Sequence, residues 1–140
     1  MRRKLYVDSG AFIALTFARD QAHHQISEAF RKIRRDRDLL VTSEAVVTET
    51  TTRLRYDAGL PAALAFHQAL IHGRLSGDLI VRDSDEQLRD EAFGILKRYA
   101  DLKLSYADAV GAAIAQQQRV DAVFGLDSDF RIMGFTLVPE

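Results

Sequence analysis

Four carboxylates, Asp8, Glu49, Asp108 and Asp127, are spread along this 140-residue sequence, and Asp129 follows the last of them two residues later. Clustered carboxylates repel one another unless a cation neutralises them or some take up protons. Oxygen-only ligation suits a hard ion such as Mg2+ or Mn2+, which binds phosphate oxygens through its remaining positions. One or two such ions would orient a water, lower its pKa and stabilise charge on a phosphate under in-line attack. The chemistry these residues point to, if a fold unites them, is metal-assisted hydrolysis of a phosphodiester. Arg53 and Arg55 lie close in sequence to Glu49 and are the candidates for contacting substrate phosphate.

Each acid also has a purely structural reading. Asp8 precedes Ser9-Gly10 and could hold a turn through its side chain. Glu49 stands four residues before Arg53, the favoured order for a helical ion pair worth a few tenths of a kcal/mol. Asp108 completes a Ser105-x-x-Asp108 helix start, with Asp where a capping box normally has Glu or Gln. Asp127 and Asp129 flank Ser128 in what reads as a loop, and either could be the fourth acid. Taken singly, none of these residues decides between the two readings.

The elements that would position them follow from patterning. Lys4–Asp8 (KLYVD) reads as a strand ending on a carboxylate, and a small apolar helix is expected around Ala11–Phe17. Ile26, Ala29, Phe30 and Ile33 form the stripe of an amphipathic helix over Gln21–Arg35. Leu39–Thr42 is the second strand; Ser43 caps a helix running to about Ala58, closed by Gly59. Pro61 suits the first turn of a further helix that Gly73 can end. Leu79–Arg82 gives the third strand, and Ser84 with Gln87 makes a capping-box pattern for a helix to about Tyr99. Ser105 opens an alanine-rich helix to about Gln118, and AVFGLD and FTLVP hold the fourth and fifth strands. Strands separated by helices imply crossovers, so the expected fold is a three-layer α/β/α sandwich on a mostly parallel sheet of four to five strands. With no linker or repeat, residues 1–140 read as a single domain. Ligands of such sheets collect beyond the carboxyl ends of the strands, which is where Asp8 and Asp127 would stand.

Composition narrows the alternatives. The net charge is −1 with 47% apolar and 28% charged residues, so a nucleic acid would be met by a local basic patch or through metal. There is no cysteine, which excludes disulfides, thiolate catalysis and cysteine-bound zinc, and fits a reducing cytoplasm. His23, His24, His67 and His72 make no zinc-binding spacing and read as surface or packing residues. No apolar run is long enough to span a bilayer, and no membrane association is expected. The basic stretch Arg31–Arg37 reads first as a solvated helix end. Phe66, Leu70 and Ile71 could form an apolar face for dimerisation or partner docking, or lie in the core.

Taken together and in order, these segments resemble a PIN domain. KLYVDSGAFIAL is similar to the family's first strand and turn with Asp8; VTSEAVVTETTTRL is similar to the segment carrying the glutamate, here Glu49. LKLSYADAVGAAIAQQQ matches the segment of the third acid, Asp108, and DAVFGLDSDFRIMGFTLVPE the closing segment with Asp127. The likeness runs from about Lys4 to Pro139. One departure is Gly125, where the family often has Thr or Ser two residues before the fourth acid. Among PIN domains, a chain of this length most resembles VapC-type toxins. That resemblance implies a Mg2+- or Mn2+-dependent endoribonuclease with Asp8, Glu49, Asp108, Asp127 and Asp129 as ligands. It also implies a homodimer held inactive by a cognate antitoxin that places a peptide, often with an Arg, in the acidic groove. The alternative is a degenerate PIN scaffold that binds RNA or protein without cleavage.

Phosphoryl transfer through an aspartyl-phosphate is the competing chemistry for a strand-end Asp. Haloacid-dehalogenase-like phosphatases need a second Asp two residues later, where this chain has Gly10. Receiver domains need adjacent acids that it lacks, and no P-loop or dinucleotide motif is present.

Overall fold

A computed structural model describes residues 2–140. Along the chain run β1 (Lys4–Val7), α1 (Ser9–Thr16), α2 (His23–Arg35), β2 (Leu39–Ser43), α3 (Glu44–Asp57), α4 (Leu60–Ser76), β3 (Leu79–Arg82), α5 (Glu86–Arg98), α6 (Tyr106–Gln118), β4 (Ala122–Phe124), α7 (Asp129–Ile132) and β5 (Leu137–Val138). The five strands form one sheet in the order β3-β2-β1-β4-β5, with every neighbouring pair parallel. The sheet order reverses around β1, and a crevice beyond the carboxyl ends of β1 and β4 is the place such a fold reserves for a ligand.

Alternation along the strands sorts side chains between two faces. Tyr6, Val41 and Val123 face a cluster with Val46 of α3, Leu88 and Ala92 of α5, and Ala109 and Val110 of α6. Leu5, Val7, Ala122 and Phe124 face α1 and α2 on the other side, with Ile26 and Ile33. A third cluster seats Phe66 and Leu70 of α4 against Ile13, Leu54 and Leu79. Helices thus cover both faces, the α/β/α arrangement expected from the alternation of strand and helix patterns. Phe66 and Leu70 lie in the core, 1% and 7% exposed, and Ile71 is partly buried.

Several local expectations need correction. Asp8 lies past the strand: it is the N-cap residue of α1, extended at φ −85° and ψ 161°, with its N–H donating to the Phe124 carbonyl. Helix α4 does not stop at Gly73. It runs a turn further to Gly77, whose φ of +80° makes the left-handed stop, while Gly73 serves close packing, since a Cβ there would stand 3.0 Å from the Leu79 Cβ. Helix α5 is capped by Asp85, whose carboxylate accepts from the Leu88 N–H at 2.8 Å, in place of Ser84 with Gln87. The stretch after Asp127, expected as loop, contains the short helix α7. Among the described residues, no helix is long and apolar enough to cross a membrane.

Candidate active site

Strand alternation carries the side chain at position 8 to the same sheet face as Tyr6, two residues earlier. Tyr6 is fully buried, with its hydroxyl 3.0 Å from the Ser43 Oγ, which also accepts from the Val46 N–H and so caps α3. The hydroxyl end of the Tyr6 ring lies against α6 at Gly111, where an added Cβ would fall 2.7 Å from the Cε1 atom. That glycine lets α6 approach β1 closely. Asp108 stands three residues earlier on α6 and therefore on the same helix face, turned toward the end of β1.

Asp108 is held by a reciprocal capping box. Its Oδ2 accepts from the Ser105 N–H at 3.0 Å, and the Ser105 Oγ accepts from the Asp108 N–H at 3.0 Å. Cap and site are the same residue, so the two readings of Asp108 are not exclusive. Asp127 follows β4, and its Oδ1 accepts from the Asp129 N–H at 2.9 Å, an arrangement that fixes the entry to α7. Between β4 and Asp127, Gly125 leaves room for Asp8: a Cβ there would stand 3.2 Å from the Asp8 Cβ and 3.7 Å from its Oδ2. The glycine at this departure from the usual pattern is therefore a close backbone approach to Asp8.

Asp8, Asp108 and Asp127 come together. One oxygen from each lies within 4.8 Å of the other two. Asp129 is not in this group, and neither is Glu49, but Glu49 is near enough for its charge to act on both Asp8 and Asp108. Asp8 is only 5% exposed, and burial foremost, then the charges of Asp108, Asp127 and Glu49, push its carboxyl up to about 7 against a hydrogen bond from the Ser9 N–H. Asp108 is raised as well, by burial first and then by Asp127 and Glu49, while its bonds to Ser105 work the other way. Burial and like charge both disfavour the ionised form. No ion pair among the described residues involves any of these five acids.

Two carboxylate oxygens, Asp8 Oδ1 and Glu49 Oε2, are buried without a hydrogen-bond partner. Orphaned buried acceptors are costly unless something satisfies them. A divalent cation fits the set: hard oxygen donors, excess negative charge and unfilled acceptors at one place. Glu49 and Arg53 form no ion pair among those the described residues make, so the structural explanation for Glu49 does not hold here. Arg53 and Arg55 are both exposed on α3. Asp8 and Asp108 were marked by strand-end and helix-start patterns; Gly111 and Tyr6 carry no sequence signal for the site, because their role is one of distance between layers.

A family model for the PIN domain matches residues 5–135. The chain belongs to the PIN domain family. This PIN domain is 31% identical over 137 residues to "23S rRNA-specific endonuclease VapC20" of Mycobacterium tuberculosis, in strains CDC 1551 / Oshkosh and H37Rv, covering 97% of this chain and 99% of the relative. Its fold matches the crystal structure of Mycobacterium tuberculosis VapC20, described as a sarcin-ricin loop cleaving toxin. The TM-score is 0.82 at 25% identity, over 94% of this chain and 96% of that one. FitAcB from Neisseria gonorrhoeae shares the fold at a TM-score of 0.62 and 17% identity, over 95% of each chain. Family and relatives together place this PIN domain among VapC-type nucleases, enzymes that hydrolyse phosphodiester bonds.

Proposed function

We propose that the chain is the toxin of a VapBC-type toxin–antitoxin pair, a Mg2+- or Mn2+-dependent endoribonuclease that cuts an exposed loop of ribosomal RNA. The observation that carries this reading is the convergence of Asp8, Asp108 and Asp127 oxygens within 4.8 Å, with an orphaned acceptor on Asp8. The ribosomal substrate rests on likeness to VapC20 of Mycobacterium tuberculosis, named as specific for 23S rRNA.

Asp8, Asp108 and Asp127 would hold the cation, with Glu49 beside them to take a proton from, or orient, the attacking water. The bound ion would supply a water of lowered pKa and charge stabilisation at the phosphate. Asp129 serves through its backbone, fixing Asp127, rather than as a direct ligand. Arg53 and Arg55, exposed one and two turns beyond Glu49 on α3, would steer the RNA phosphates toward the acids. In hydrolysis the water oxygen bonds to phosphorus, the bond to the leaving sugar oxygen breaks, and a proton passes to that oxygen.

A cationic antitoxin peptide complements an acidic site of this kind. On the opposite sheet face, an apolar cavity of about 710 Å³ opens among α1, α2 and α4, lined by Phe12, Phe30, Phe66 and Phe124 with Arg34 at its rim, and suits an apolar antitoxin segment. Homodimerisation and a cytoplasmic location belong to the same reading. Exposed Tyr56, Leu60 and Leu64 are an apolar surface available to a second copy.

Cleavage-site mapping on purified ribosomal RNA, with and without Mg2+ or Mn2+, tests the substrate. A single metal-dependent cut in a loop of the large-subunit RNA is expected. Uncut ribosomal RNA at every metal concentration, with intact RNA bound, would replace this reading by that of a binding scaffold.

A further inference from the structure

Besides Tyr56 on α3, two aromatic side chains outside the acid cluster are open to solvent and touch each other. Phe93 on α5 is 57% exposed and Tyr106, the first residue of α6, is 37% exposed. Their rings meet at 5.7 Å between centroids and 42° between planes. Burying aromatic surface is strongly favourable, so a paired but half-open set marks a surface that another flat group can complete. Cations flank the pair. Arg89 and Lys97 stand four residues before and after Phe93, on the same face of α5, and both are exposed. Neither forms an ion pair among the described residues. Lys103 lies exposed three residues before Tyr106. Carboxylates are present as well, Asp90 on α5 and Asp101 in the turn before α6, so the patch is mixed in charge with the cations around the rings.

The position of this patch gives it a meaning. Tyr106 follows Ser105, the cap whose N–H is held by Asp108, so the aromatic pair and the proposed metal site share the first turn of α6. Tyr106 and Asp108 are two residues apart and leave the helix on roughly opposite sides. A strand of RNA whose phosphate lay at Asp108 would have to cross the N-terminal end of α6 to bring a neighbouring nucleotide to the rings.

We propose that Phe93 and Tyr106 form a stacking platform for an unpaired nucleobase flanking the scissile phosphodiester, with Arg89 and Lys97 meeting the adjacent phosphates. Proteins that take single-stranded RNA or RNA loops combine aromatic rings, on which splayed bases stack, with cations that follow the backbone. This subsite rests on the ribonuclease reading above and extends it to the recognition of loop over duplex.

The test measures binding of a fluorescent RNA stem-loop containing the mapped cut site, and of a fully paired duplex of the same length, in the presence of Ca2+ to hold back cleavage. Phe93→Ala/Tyr106→Ala should weaken stem-loop binding roughly 5- to 150-fold, the range expected for loss of one stacked base. Phe93→Trp and Tyr106→Phe, which keep a stacking ring, should bind like the unaltered protein, and the thermal shift on adding Mn2+ should be unchanged in all variants. Undiminished stem-loop affinity in a folded double-alanine variant would overturn the platform. So would a loss that tracks dissociation of a dimer in sedimentation, because the rings would then belong to a protein interface. If the unaltered protein neither binds nor cuts the stem-loop, the ribonuclease reading itself fails, an outcome distinguishable from failure of the platform alone.

Discussion

Asp108 and Ser105 hold each other twice across the first turn of α6, the carboxylate accepting from the Ser105 N–H and the Ser105 hydroxyl from the Asp108 N–H, both at 3.0 Å. The box uses the Oδ2 of Asp108, and the same carboxylate stands in the cluster with Asp8 and Asp127. A helix cap thereby orients a candidate ligand without any further residue.

Asp108→Glu separates the two roles. Glu is the usual residue at this position of a capping box, so the helix start and the melting temperature should be kept. The longer side chain moves its oxygens relative to Asp8, and RNA cleavage should fall at least about tenfold, as geometric errors in such sites do. Full activity in this variant, measured with a labelled RNA at saturating Mg2+, would reduce Asp108 to a cap.

The metal-free protein should lose stability as pH rises. Asp8 titrates at about 7 in the folded chain, well above an unfolded Asp near ~3.9. The folded state therefore holds that proton more tightly. The stability it contributes is full below the unfolded value and is lost as pH passes through the folded one. Thermal melts in chelator from pH 5 to 8 should show a falling melting temperature that Asp8→Asn flattens. A melting temperature rising with pH over that window, and equally in Asp8→Asn, would contradict the buried proton on Asp8.

Gly111→Ala should act on the site from a distance. The new Cβ would stand 2.7 Å from the ring of Tyr6, which is fully buried. Overpacking of this kind costs on the order of 1–3 kcal/mol. Because the shift lies between α6 and β1, Mn2+ affinity should fall along with stability. Gly94→Ala, on the neighbouring helix with open space around it, should leave both unchanged. Denaturant melts and Mn2+ titration of the two variants compare the effects directly.

The sequence was most informative where one turn or one strand decides the outcome. Ser105 with Asp108 and Ser43 as the cap of α3 are local patterns, and both form as their spacing implies. The short apolar run rich in strand formers that makes KLYV a strand is equally local, and the parallel sheet follows from the helices between strands. A residue's role is not legible locally where it depends on what lies across the fold. Gly73 resembles a helix stop but exists to admit Leu79, and the stop belongs to Gly77. Glu49 and Arg53 have ion-pair spacing, yet Glu49 lies toward the acids with a buried oxygen unpaired. Asp127 and Asp129 are equivalent on paper. Only the close approach of β4 to β1 at Gly125 and Asp8 separates them, putting Asp127 in the trio and leaving Asp129 to donate its backbone N–H.

That separation supplies the decisive measurement. Mn2+ binding should be titrated calorimetrically at pH 7.5 against the unaltered protein and against Asp8→Asn, Asp108→Asn, Asp127→Asn and Asp129→Asn. Saturable binding is predicted for the unaltered protein and for Asp129→Asn, with losses of about tenfold or more in the other three. Binding that survives in Asp8→Asn and Asp108→Asn, or that is lost only in Asp129→Asn, would contradict a metal site built on Asp8, Asp108 and Asp127.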